Sequence, residues 1–242
     1  MHLTSTILAA AVACTACAQT VPKGFTPTTN TKLEVFFNST SVNTPGQLLS
    51  KATTATEPKL AISSAVGNLS DTYMFVMLDL DVPPQQGSTT RRILLHAMQT
   101  GFKATQQKIS GAATVLASSQ KGPAPYLPPG PPATDTVAHR YVQLLFRQPA
   151  RLAVQASDFA NTTGRFNFDI NKFMAENTVG APIAGNFFTV DGRANATTEG
   201  GSATPTGARP SRTIVPFTGG AGKREVSYGL AAVLGGLVVI TI

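Results

Sequence analysis

Asp79 and Asp81 stand two residues apart at the end of an apolar run, Tyr73 to Leu78, and Pro83-Pro84 closes the segment. His96 sits inside a second apolar run, "ILLHAMQ", and His139 just precedes a third, "YVQLLF". Two carboxylates and two imidazoles are the groups that trade protons near neutral pH and bind charged atoms. Residues 79 and 81 share strand parity, so both carboxyl groups could lie on one face. Each residue also has a plainer role. Two acids ahead of a Pro-Pro pair form turns, and a single histidine in an apolar strand is a satisfied core residue. An acid/base pair of Asp79 and Asp81 could serve hydrolysis, but no serine-elbow or zinc-helix motif accompanies it.

The elements that must position these groups read mostly as strands. Lys32 to Phe37, Lys59 to Ser63, Thr72 to Leu80, Arg92 to Thr100 and Arg140 to Gln148 are rich in aliphatic and aromatic residues. Met74 to Leu78 shows no polar alternation, as expected of a central strand covered on both faces. In the last strand Val142, Leu144 and Phe146 alternate with Gln143 and Arg147, which predicts one wetter face. Pro- and Gly-rich stretches such as "DVPPQQGS" and "GPAPYLPPGPPATD" separate the strands. One helix is predicted in "FDINKFMAENT", with Asp169 as its cap and Ile170, Phe173 and Met174 on one face.

The 242 residues suffice for one core-bearing domain with tails. The formal net charge is +7, yet Lys and Arg cluster no further than Arg91-Arg92 and Lys223-Arg224, so no nucleic-acid surface is indicated. Residues 1–18 read as a secretory signal, with an apolar run from Ile7 to Val12 and a small-x-small end at Ala16-Cys17-Ala18. Both cysteines, Cys14 and Cys17, fall inside it, so the mature chain would carry neither thiol chemistry nor cysteine metal sites. Secretion gives meaning to four glycosylation sequons, at Asn38, Asn68, Asn161 and Asn195. The folded unit is expected over about residues 22–191. Residues 192–222 read as an extended Gly/Ser/Thr/Pro-rich stalk that buries too little surface to fold. Small residues Gly219 and Gly220, a polar spacer and the apolar run Tyr228 to Ile242 follow the pattern of a glycosylphosphatidylinositol (GPI) signal, with residues 223–242 removed. These signals place the protein at the outer leaflet of the plasma membrane or in the cell wall.

Four stretches, in order, resemble the phosphatidylethanolamine-binding protein family. "LDLDVP" is similar to its Asp-Pro-Asp-x-Pro motif, with Leu80 in place of the first proline, and "LLHAMQTGFK" to the strand carrying its first pocket histidine. "PPATDTVAHRYVQLLFRQP" is similar to its Gly-x-His-Arg-Tyr segment, and "FDINKFMAENTVGAPIAGNFFTV" to its late helix and ending. The resemblance covers residues 25 to 190 and includes secreted fungal members. It implies a mainly β fold in which a large antiparallel sheet packs with a smaller sheet and a few peripheral helices. It also implies a small surface pocket for phosphate-bearing groups such as phospholipid headgroups, lined by Asp79, Asp81, Pro83, His96, His139 and Tyr141. Arg140, between the last two, would point away and hold the loop. The implied role is ligand binding rather than catalysis, with no cofactor. Inhibition of a serine carboxypeptidase is the alternative, and a structural wall protein a further one.

Overall fold

The computed structural model describes residues 19–109 and 113–194. The expected signal peptide, Asn195, Gly219, Gly220, the apolar tail and all of the stalk beyond residue 194 lie outside the described residues.

Among the described residues nine strands form: β1 (Glu34–Phe37), β2 (Thr40–Ser41), β3 (Gln47–Leu49), β4 (Lys59–Ser63), β5 (Tyr73–Val82), β6 (Arg92–Ile109), β7 (Ala113–Ala117), β8 (His139–Arg147) and β9 (Ala184–Val190). One α-helix, α1 (Ile170–Glu176), and two 3-10 turns lie between β8 and β9. The strand order is β2-β1-β4-β7-β6-β5-β8-β9-β3, antiparallel throughout except for the parallel β3–β9 pair. The expected mainly β architecture is thus present. The larger sheet (β6, β5, β8, β9, β3) and the smaller one (β2, β1, β4, β7) are joined through β6. That 18-residue strand pairs with β5 in its first part and with β7 from Lys103 onward.

The unalternating run in β5 follows from burial on both faces. Tyr73, Phe75 and Met77 point into the core between the sheets, with Val35, Phe37, Leu60, Ile62 and Phe188. Met74, Val76 and Leu78 point the other way, into a second core roofed by Phe173 and Ile170 of α1. The helix starts as expected: Asp169 Oδ1 accepts from the Asn171 and Lys172 amides.

Two expectations are corrected. The strand predicted to end at Thr100 runs on to Ile109, through "GFKATQQKI". That stretch is polar and half-exposed because its partner β7 lies at the smaller sheet, and Gly101 at φ +72° marks the change of course. The wetter face predicted for β8 does not exist. Gln143 and Leu145 are fully buried, because β8 is sandwiched between β5 and β9 and covered on both sides.

Candidate functional site

The sheet register brings the distant acids and histidines together. In the β5–β8 ladder Asp79 lies opposite Tyr141, and His139 is two residues before Tyr141 on the same strand. Side chains on such a diagonal remain within reach of one another. His139 Nδ1 is 2.8 Å from Asp79 Oδ2, and its other ring nitrogen, Nε2, is 2.9 Å from Asp135 Oδ2. From β6, His96 brings its Nε2 to 3.8 Å from the same Asp79 oxygen. The His96 and Tyr141 rings meet edge to face at 5.1 Å, and Tyr141 stacks on Phe188 beneath. The convergence of His96, His139, Asp79 and Tyr141 on one point is therefore present.

Asp81 has a different partner. Its carboxylate takes both arms of the Arg140 guanidinium at 2.8 Å and the Arg140 amide at 2.9 Å. Continuing the ladder would set Asp81 opposite His139, but pairing with β8 ends at Asp79 and the β5–β6 register shifts between Asp79 and Val82. The shared parity of 79 and 81 thus does not give shared partners. Asp79 works on imidazoles, while Asp81 fastens Arg140, which agrees with the holding role expected for that arginine. Asp79 also accepts from the Asp81 amide through Oδ1, at 2.8 Å. Pro83 is half-buried and offers its carbonyl to Arg92 Nε at 3.0 Å.

The sequence reading passed over Asp135. It stands four residues before His139 and accepts a two-armed bond from Arg91, 2.8 Å on each arm, beside its bond to His139. Arg91 Nη1 also donates to the Asp81 carbonyl. An acid at i−4 from a histidine, in a proline-rich loop, carries no periodic signal. Only the return of the loop across the sheet makes it a partner.

The two histidines are in different protonation states. Both ring nitrogens of His139 face carboxylate oxygens, and only the imidazolium has two N–H groups to give. Burial opposes that charge, but hydrogen bonds and attraction from Asp79, then Asp135, outweigh it and raise the pKa. His96 behaves oppositely. Its Nδ1 lies 2.7 Å from the Leu127 carbonyl and must donate there. Burial pushes its pKa down, although the Leu127 carbonyl and Asp79 pull the other way. His96 is accordingly neutral, with an acceptor lone pair on Nε2. Asp135 is held well below the usual carboxylate range, chiefly by Arg91. Asp81 is also lowered: burial works against its charge, and Arg140 overcomes it. Burial, then the charge of Asp79, drives the Tyr141 hydroxyl upward, so it stays a donor.

The small open pocket expected here is closed. Asp79, His96, His139 and Tyr141 are each at most 3% exposed. The segment from Gly122 to Ala138 covers them. Leu127 exchanges both of its backbone bonds with His96, one through the ring, and Ala124 pairs with Met98. Tyr126 reaches the Thr54 carbonyl at 2.7 Å, and Asp135 ties the far end to Arg91. Under this cover His96 Nε2 has no hydrogen-bond partner, and the Tyr141 hydroxyl, beside Asp79 and the Gly130 backbone, makes no well-formed hydrogen bond. The Gln143 side-chain amide, two residues after Tyr141 on the same side of β8, has no partner either. Leaving such groups unpaired costs about 1–3 kcal/mol each. Among the described residues no cluster of His, Cys, Asp and Glu has the geometry to hold a metal ion. The sequons at Asn38, Asn68 and Asn161 are all exposed; Asn161 Oδ1 caps a 3-10 turn by accepting from the Gly164 amide.

The phosphatidylethanolamine-binding protein family model matches residues 38–188. Phomoidride biosynthesis cluster protein N of Talaromyces stipitatus is 30% identical over 200 residues, spanning 75% of this chain and 95% of that protein. Protein TERMINAL FLOWER 1 of Arabidopsis thaliana is 30% identical over 164 residues, 68% of this chain and 80% of that one. Among solved structures, carboxypeptidase Y inhibitor in complex with its cognate proteinase superposes with a TM-score of 0.51 at 22% identity, covering 66% of this chain and 83% of the inhibitor chain. That degree of likeness speaks to the fold alone.

Proposed function

The chain belongs to the phosphatidylethanolamine-binding protein family, and from that premise we propose that it is a secreted, surface-anchored ligand-binding protein of the fungal type. Its ligand is a phosphate-bearing group, such as a phospholipid headgroup, bound beside His96 and Tyr141. The observation that carries this reading is the pair of open valences under the covering loop: an acceptor lone pair on His96 Nε2 and a donor hydroxyl on Tyr141.

The chemistry of the two atoms selects the ligand. A phosphomonoester that keeps one proton has a P–OH to give to His96 Nε2; in a diester headgroup, which has none, the ammonium would give that hydrogen bond, and either offers oxygens to accept from Tyr141. The charge of Asp79 is already answered by the His139 imidazolium, so it does not repel the incoming anion in full. An ethanolamine ammonium would find Asp79 close by. Binding requires the Gly122 to Ala138 segment to lift, since the atoms are buried. No nucleophile, cofactor or metal enters this account, and the protein acts by binding.

Phosphoethanolamine titrated calorimetrically into the secreted protein should bind. Tyr141→Phe should weaken it about tenfold, the equivalent of one hydrogen bond of roughly 1.4 kcal/mol, and His139→Ala should weaken it further by loosening Asp79. No heat with the native protein, or equal affinity in the variants, would remove the reading. A second reading, inhibition of a serine carboxypeptidase, draws on the carboxypeptidase Y inhibitor of similar fold. It is checked by adding the protein to carboxypeptidase Y and following peptide hydrolysis.

The same proposal takes residues 1–18 as the signal, 22–191 as the binding domain, 192–222 as the stalk and 223–242 as the tail exchanged for lipid at Gly219 or Gly220. Asn38, Asn68, Asn161 and Asn195 are the proposed glycan sites.

A further inference from the structure

A second cleft, of about 460 Å³, lies between the N-terminal segment Gly24 to Thr26, the start of β6 and the turn into α1. Its volume lies within the range for small-molecule sites, roughly 300–1,000 Å³. Three half-buried apolar side chains, Phe25, Ile93 and Phe168, line it together with buried Ile170. Two adjacent arginines also line it, and they differ in one respect. The guanidinium of Arg91 is spent on Asp135 and the Asp81 carbonyl. Arg92 is fixed by its Nε bond to the Pro83 carbonyl and by the Phe166 ring, 4.6 Å from its Cζ. Its two terminal nitrogens, with four N–H groups, have no hydrogen-bond or ionic partner among the described residues.

We infer that this cleft is a binding site for an amphipathic anion, an oxyanion head held end-on by Arg92 with a small apolar body against Phe25, Ile93, Phe168 and Ile170. A guanidinium that is already oriented, stacked and left with a free planar fork matches a carboxylate or phosphate head at little ordering cost. A head with no apolar body would leave the half-buried Phe25, Ile93 and Phe168 wet. An apolar body with no head would leave the fork unused. Asp169 also lines the cleft, and its carboxylate caps α1. Its charge opposes an anion and limits the affinity, so the head is assigned to Arg92 alone. The site is separate from the histidine cluster and does not depend on what binds there.

Octanoate is the probe, with acetate and octan-1-ol as controls lacking the body or the head, titrated into the full secreted chain by calorimetry. Octanoate is expected to bind at least tenfold more tightly than either control, without shifting the His96 ring resonances. Arg92→Gln should reduce its affinity at least tenfold. Asp169→Asn, which keeps a good cap, should raise it severalfold. Octanoate binding no better than octan-1-ol, or binding untouched by both substitutions, overturns the inference. So does binding that moves the His96 resonances, because the ligand would then occupy the other site. If Arg92→Gln does not fold, an unchanged affinity in Asp169→Asn is by itself sufficient to overturn it.

Discussion

His139 and His96 share one carboxylate oxygen on Asp79, yet their surroundings drive them in opposite directions. Protein stability must follow both. The native pKa of His139 is raised above its unfolded value of about 6.5, so its contribution is complete below that pH and is lost as pH rises through the native value. For His96 the native pKa is depressed. Its contribution is complete above about 6.5 and is lost as pH falls through the native value. The two linkages meet near neutrality, where stability should peak. Proton NMR should find the His139 ring titrating above the ordinary histidine value of about 6.5 and the His96 ring below it. A His139 ring that discharges below pH 6.5 would contradict the two-carboxylate clamp. Asp135 supplies half of that clamp, so Asp135→Asn should lower unfolding free energy by about 2 kcal/mol, the scale of a hydrogen bond to a charged group. It should also pull the His139 pKa downward. Denaturant unfolding and the same NMR titration check both.

The covering loop is what turns a cluster into a closed site, and glycines fix it at two points, its start and its middle. Gly122 has φ +69°, and a Cβ there would come within 2.4 Å of the Met98 carbonyl and 2.5 Å of Gln99 Cα. A Cβ on Gly192 would meet the Pro132 carbonyl at 2.1 Å. Gly122→Ala should therefore displace the segment that carries Leu127. The left-handed backbone alone costs about 1–2 kcal/mol, and the clash adds to it. His96 should then react with diethylpyrocarbonate faster than in the native protein. Unchanged labelling would mean that the loop is not what shields it. The strands beneath were largely readable from the chain. The doubly buried β5 announced itself by its lack of alternation, and α1 by Asp169 and its apolar spacing. The meeting of His96, His139 and Tyr141 was legible only because four motifs stood in family order. Other features were hidden because they are long-range. Asp135 becomes a partner only by loop return, Asp81 is diverted by a register shift, and Gln143 looked wet because its neighbour β9 could not be seen in local alternation.

At the scale of the molecule, the net charge of +7 over 242 residues is spread without large clusters, and charge of that kind gives no fixed attachment. Among the described residues no helix is long and apolar enough to cross a membrane. The lipid anchor proposed at Gly219 or Gly220 rests on the order of small residues, polar spacer and apolar run in the sequence, and it is open to direct test. Cells expressing the chain should release it on treatment with phosphatidylinositol-specific phospholipase C. Replacing Gly219 and Gly220 together by tryptophan should block transfer and deplete the protein from the surface, because the attachment position admits only small side chains. The binding domain gives an internal control, since phosphoethanolamine affinity should be the same in released and anchored protein. Retention at the surface after phospholipase treatment, together with normal display of the double-tryptophan variant, would show that something other than a lipid anchor holds the molecule there.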